Sequence, residues 1–178
     1  MTPNYRKLWI EAEGADYRKS TYDRQSEHGT KPLTSNPTID EIRMVLRGCY
    51  AKTVLEVGCG WGRLLEPLAD EFMVEGCDIS KEMLAHVPKH IKTFEFDITF
   101  PNTYPRGAKY GIVYDVAFTR GVLHYLLPDL VLVERAVSNL MELAKKVVLW
   151  EYVEVCDAIA RVNPRHGFDF RPIKRVQE

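Results

Sequence analysis

Apolar residues run along this chain in two alternating patterns. Short runs rich in β-branched and apolar side chains occur at Thr53–Val57, Phe72–Cys77, Ile112–Phe118 and Val147–Val153, and Lys92–Phe96 alternates weakly and reads as a further strand. Near-continuous apolar runs of this length suit strands covered on both faces. Between them the apolar positions recur at helical spacing. Ile39, Ile42, Val45 and Leu46 make one stripe that stops at Gly48, and Thr38 and Glu41 before it have capping-box spacing. Leu64, Leu65, Leu68 and Ala69 make a second, and Ser80 is placed to cap a third helix. A fourth begins at Pro128, buries Leu130, Val133, Val137, Leu140, Met141 and Ala144, and ends near Lys145 and Lys146, whose charges suit a helix C-terminus. Five strand–helix alternations predict an α/β chain with a doubly wound, mostly parallel sheet and helices on both faces.

The flanks are less regular. Residues 1–37 mix aromatics and charges with weak periodicity, and read as an arm packed over the carboxyl edge of the sheet; residues 38–178 read as the domain. Residues 99–111 hold two prolines and two glycines and read as a long loop. After the fifth strand, Cys156, Ile159, Ala160 and Val162 suggest a short helix, and no segment is assignable to a closing strand pair. An uncovered sheet edge then calls for a second copy or a partner subunit.

Composition narrows the function classes. The 178 residues are 46% hydrophobic and 28% charged, as in ordinary globular proteins, and the net charge of −1 gives no global field for nucleic acid or anionic membrane. Met1–Ile10 has no apolar h-region and no apolar run approaches membrane-spanning length. Four cysteines without a Cys-x-x-Cys pair read as reduced, mostly buried thiols of a cytoplasmic protein.

The chemistry centres on Thr53–Arg63, TVLEVGCGWGR. A buried strand feeds Gly58, Gly60 and Gly62, which let the backbone turn sharply and approach a ligand, and the loop feeds a helix. The spacing is Gly-x-Gly-x-Gly after Glu56, not the Gly-x-Gly-x-x-Gly of dinucleotide folds. Asp78 follows Gly58 by 20 residues, at the tip of the second strand, where an acid accepts from ribose hydroxyls. The third strand ends in Asp97-Ile98, and the fourth runs into Arg120-Gly121-Val122-Leu123-His124.

In this order the glycine loop, Asp78-Ile79-Ser80, Asp97-Ile98 and Val122-Leu123-His124 resemble the motifs of the class I S-adenosylmethionine-dependent methyltransferases, over roughly residues 38–153. The resemblance implies a Rossmann-like fold, for whose usual C-terminal strand pair the residues after Val153 show no assignable pattern, with S-adenosyl-L-methionine as cofactor. It implies that Glu56, Gly58, Cys59, Gly60 and Gly62 shape the methionine end of the pocket. Asp78, with Ile79 and Met83 after it, would hold the ribose. Asp97 and Ile98 would hold adenine, and Arg120 and Leu123 would line the methyl-donor side. Family members often carry Asn or Ser at the position of Arg120. The guanidinium either contacts the methionine carboxylate or an anionic acceptor, or points away while its backbone lines the pocket. His124 is the candidate catalytic base; the competing reading is a structural histidine bridging the turn. His124, His166 and Asp169 lack metal-site spacing, so no metal is expected.

The expected activity is methyl transfer to a small-molecule acceptor. A non-catalytic cofactor-binding subunit shares the same motifs, and a nicotinamide-dependent oxidoreductase shares the fold and Asp78 but not the glycine spacing.

Overall fold

The computed structural model describes residues 39–100, 114–127 and 129–151. Their elements are α1 (Ile39–Gly48), β1 (Thr53–Val57), α2 (Leu65–Leu68), β2 (Met73–Asp78), α3 (Lys81–Leu84), β3 (Lys92–Glu95), β4 (Tyr114–Arg120), a 3₁₀ turn (Leu123–Leu126), α4 (Leu130–Leu143) and β5 (Ala144–Trp150). The strands form one sheet in the order β3-β2-β1-β4-β5, and every pair is parallel. The order reverses between β1 and β4, which opens a crevice at their carboxyl ends.

Alternation along the strands divides the core. Val54, Val116 and Phe118 face α1 and α2, packing with Ile42, Leu46 and Leu68. Leu55, Val57 and Ala117 face the other way, onto Val133, Ala136, Val137 and Leu140 of α4. The predicted two-sided cover is therefore present. Each fully buried aliphatic side chain contributes about 1.5–3 kcal/mol.

The amino edge of the sheet is held by Asp115. Its Oδ2 accepts from the N–H groups of Lys52 and Thr53, each at 3.0 Å, and from Thr53 Oγ1 at 3.1 Å. Thr53 Oγ1 accepts in return from the Asp115 N–H at 2.9 Å, and Lys145 Nζ donates to Asp115 Oδ1 at 2.8 Å. One carboxylate thus ties β1, β4 and β5 together where the register begins.

Some boundaries differ from the sequence pattern. Lys145 and Lys146 are strand residues: pairing with β4, in which Tyr114 faces Ala144 and Val116 faces Lys146, draws 144–146 into β5. Their amines reach Asp115 Oδ1 and the Cys49 carbonyl rather than serving a helix end. α4 is capped by Asp129, whose carboxylate accepts from the N–H groups of Val131 and Leu132. Ser80 caps α3 as expected, its Oγ accepting from the Met83 N–H at 3.3 Å. The expected roles of Thr38 and Pro128, the arm over 1–37, most of the 99–111 loop and the segment beyond Glu151 lie outside the described residues.

Candidate functional site

The glycine loop is fastened to β2. The N–H groups of Gly58 and Cys59 both donate to the Cys77 carbonyl, at 2.7 and 3.0 Å. The Gly60 N–H donates to Asp78 Oδ2 at 2.8 Å, and Asp78 Oδ1 accepts from the Ser80 N–H at 2.9 Å. Gly58, Gly60 and Gly62 have φ of +76°, +54° and +81°, backbone that L side chains resist. A Cβ on Gly60 would meet nothing within 4 Å, whereas on Gly58 it would stand 2.4 Å from Val122 Cγ2. Gly62 has a packing role: its Cβ would stand 2.9 Å from Val87 Cγ1.

Above this loop lies a cavity of about 220 Å³, walled by the ends of β1, β2 and β4 and by residues 96–98. It brings together Glu56, Gly58, Cys59, Gly60, Asp78, Ile79, Met83, Asp97, Ile98 and Arg120, all selected from the sequence. Trp61, Arg63, Val122 and Tyr125 also line it. Gly62, Leu123 and His124 do not. Around the 3₁₀ turn the cavity is lined instead by Gly121, Val122, Tyr125 and Leu126. Leu123 is fully buried in the core beneath. The His124 ring lies against that of Tyr125, with centroids 3.9 Å apart, and burial lowers its pKa, favouring the neutral form.

Glu56 dominates the electrostatics. It is 4% exposed, and its Oε2 has no hydrogen-bond partner among the described residues. Burial raises its pKa well above the carboxylate range; Arg120 and Arg63 oppose the rise and Asp78 adds to it. Burial also raises Asp78, against the N–H groups of Ser80, Gly60 and Ile79. A buried carboxyl oxygen without a hydrogen bond favours a donor or cationic group beside it. Burial, followed by Glu56, raises the Cys59 thiol pKa, which disfavours the thiolate.

The far wall is built from neighbouring turns. Asp97 Oδ1 accepts from Thr99 N–H and Oγ1 at 2.9 and 2.7 Å, and the Ile98 carbonyl accepts from Asn139 Nδ2 at 2.5 Å. Sequence reasoning missed Glu151, the residue after β5. Its Oε1 accepts from Thr119 Oγ1 at 2.8 Å, and its two oxygens accept from the Val122 N–H at 2.9 and 3.1 Å. The available signal was an acid inside the apolar run Val147–Val153.

A family model described as a methyltransferase domain matches residues 55–146, from within β1 into β5 and just over half of the chain. The chain belongs to the class I S-adenosylmethionine-dependent methyltransferases. No curated protein sequence matches this methyltransferase significantly. Solved structures share its fold. The amino pentose methyltransferase CalS10 of Micromonospora echinaspora, solved with S-adenosylmethionine bound, is 21% identical, with a TM-score of 0.58 over 74% of this chain and 56% of that one. The sugar N-methyltransferase KedS8 of a Streptoalloteichus species is 21% identical, with a TM-score of 0.59 over 75% of this chain and 53% of that one. A TehB-like S-adenosylmethionine-dependent methyltransferase of Corynebacterium glutamicum is 15% identical, with a TM-score of 0.59 over 85% and 83%. This methyltransferase thus spans little more than half the length of the first two.

The cofactor of the family is S-adenosylmethionine, and the residues present fit it. The unpartnered Glu56 Oε2 suits a cation, the open face of Gly60 leaves room for a ligand atom, and Asp78 stands at the ribose position of such folds.

Proposed function

We propose that this methyltransferase transfers the methyl group of S-adenosylmethionine to a small-molecule acceptor. The observation that carries the reading is the buried, unpartnered Glu56 Oε2 in a glycine-floored cavity. In this reading Glu56 takes the cationic methionine end and Arg120 stands near its carboxylate. Asp78 holds the ribose while anchoring Gly60, and Asp97 with Ile98 holds the adenine. The bound cofactor supplies a methyl group already activated by its positive sulfonium. What remains for the protein is to orient the acceptor and exclude water, which supplies much of the acceleration in such transfers. In this reading the task falls to Trp61, Val122 and Tyr125, which line the cavity. His124, off the cavity wall, is assigned no proton transfer.

The net charge of −1 and the fold shared with amino pentose and sugar methyltransferases support a small acceptor over nucleic acid. Free Cys49, Cys59 and Cys77 support a cytoplasmic setting, and no helix among the described residues is long and apolar enough to cross a membrane. The outer edge of β5 pairs with no strand among the described residues, which supports a covering segment or second subunit.

The test is calorimetric titration of S-adenosylmethionine, its demethylated product and NADH into the wild type and Asp78→Ala. Micromolar binding of the first two, sharply weaker in the variant, supports the reading and justifies an acceptor screen. Binding of NADH alone would overturn it, and binding without turnover over a broad acceptor panel would favour a non-catalytic subunit.

A further inference from the structure

Glu151 is a partly buried carboxylate that does not line the cavity, yet it is heavily engaged. It stands where β5 ends, and its oxygens accept from Thr119 Oγ1 in β4 and from the Val122 N–H just past it. Burial raises its pKa, and the N–H of Val122, the Thr119 hydroxyl and, less strongly, the N–H groups of Leu123 and His124 oppose the rise, so the acid faces the start of the 3₁₀ turn. Beside it, the Gly121 N–H donates to the Trp150 carbonyl at 3.0 Å, and Gly121 has φ of +63°. The turn is thus tied to β5 by side chain and backbone.

What the turn carries gives this anchorage its consequence. Val122 and Tyr125 line the cavity, and the methyls of Val122 lie against Gly58, in the space a Cβ there would need. Glu151 sets the Val122 backbone, and Val122 in turn limits where the glycine loop can sit. The path from β5 to the cofactor loop has one hydrogen-bonded link and one packed link.

We infer that Glu151 is a positioning residue, which holds the β4 exit turn so that Val122 braces Gly58 and Tyr125 faces the acceptor space. This rests on the cofactor reading above only for its functional consequence; the anchorage itself is independent of it. A neutral amide of the same shape can still accept from Val122 and let the Thr119 hydroxyl reverse its role. Glu151→Gln should therefore keep most of the geometry that Glu151→Ala loses.

The test compares wild type, Glu151→Gln and Glu151→Ala by amide hydrogen exchange and by calorimetry with S-adenosylhomocysteine. Protection of the Val122 amide should collapse in Glu151→Ala and persist in Glu151→Gln, whose carbonyl oxygen can still accept from it, while protection in α1 and β1 stays intact. Affinity should fall roughly tenfold in the alanine variant, the order expected of coupling through a short packed network, and return towards wild type in the glutamine variant. Unchanged protection of the Val122 amide in Glu151→Ala overturns the inference, whether or not any ligand binds. Wild-type affinity in Glu151→Ala with lost protection also overturns it, because the turn would then not set the loop. If the alanine variant does not fold, Glu151→Asp, too short to reach Val122, replaces it with the same expectations. Failure of the wild type to bind, with the exchange pattern as expected, counts against the cofactor reading and leaves the anchorage supported.

Discussion

Substitution of Gly58 by alanine separates two costs that usually arrive together. At φ of +76° an L residue loses about 1–2 kcal/mol to its own backbone. The new Cβ would also stand 2.4 Å from Val122 Cγ2 and 3.2 Å from Cγ1. Val122 has little freedom to retreat, since its N–H is held by Glu151. Overpacking of this kind costs about 1–3 kcal/mol, so Gly58→Ala should destabilise by roughly 2–5 kcal/mol in all. Gly60→Ala is the internal control. Its φ is +54° and its Cβ would meet nothing, so only the backbone cost of about 1–2 kcal/mol applies. Urea unfolding with linear extrapolation reads both, provided the slopes agree with wild type. Adding Val122→Ala should recover part of the Gly58→Ala loss and none of the Gly60→Ala loss, with a coupling of about 1–3 kcal/mol in the first cycle. Calorimetry should show the reverse emphasis: Gly60→Ala puts a methyl into the cavity and weakens S-adenosylhomocysteine binding more than it weakens the fold. Equal destabilisation by the two alanines, or an additive cycle with Val122→Ala, would refute the steric part of the reasoning.

Two further predictions concern pH. The Glu56 carboxyl is raised in the folded state by burial, so the ligand-free fold loses stability as pH rises from the unfolded value of about 4.3 through the raised one, and stays reduced above it. Glu56→Gln should remove that dependence, raising the melting temperature relative to wild type at neutral pH while weakening S-adenosylmethionine binding; parallel melting curves across pH for the two proteins would contradict this. Asp115 is the opposite case, its carboxyl depressed by Lys145 and then by the N–H groups of Thr53 and Lys52. Its contribution is complete above the unfolded value of about 3.9 and disappears as pH falls towards the lower folded value. Asp115→Asn should therefore lose stability at neutral pH and show a shallower acid limb in far-ultraviolet circular dichroism, and an unchanged limb would argue that the clamp carries no linkage.

Much of the site was legible before any coordinates. Gly58, Gly60, Asp78, Asp97 and Ile98 were readable because each depends on local chemistry: a chain reversal, a strand tip, an acid beside an apolar residue. The boundary between α4 and β5 was not, because Ala144, Lys145 and Lys146 suit a helix end as well as a strand start, and the ladder with β4 decided between them. Asp129 was overlooked in favour of Pro128, although its carboxylate is an ordinary N-cap. The choice of His124 followed residue type, whereas the packing of the turn decides that Val122, Tyr125 and Leu126 line the cavity.

The sequence by itself determined the alternation of strands and helices, the conformation of the glycine loop and the acids at the strand tips. These follow from side-chain period and backbone sterics within a few residues. Only the tertiary structure decided which strands are neighbours and what presses on what. Gly76 looks like a weak point in β2, yet a Cβ there would stand 2.4 Å from Leu65 Cδ1 and 2.8 Å from Cys59 Sγ. Glu151 reads as one acid in an apolar run, yet it binds an amide 29 positions earlier. Such contacts exist because parallel pairing brings distant strand ends to one edge, and no local pattern records which ends will meet.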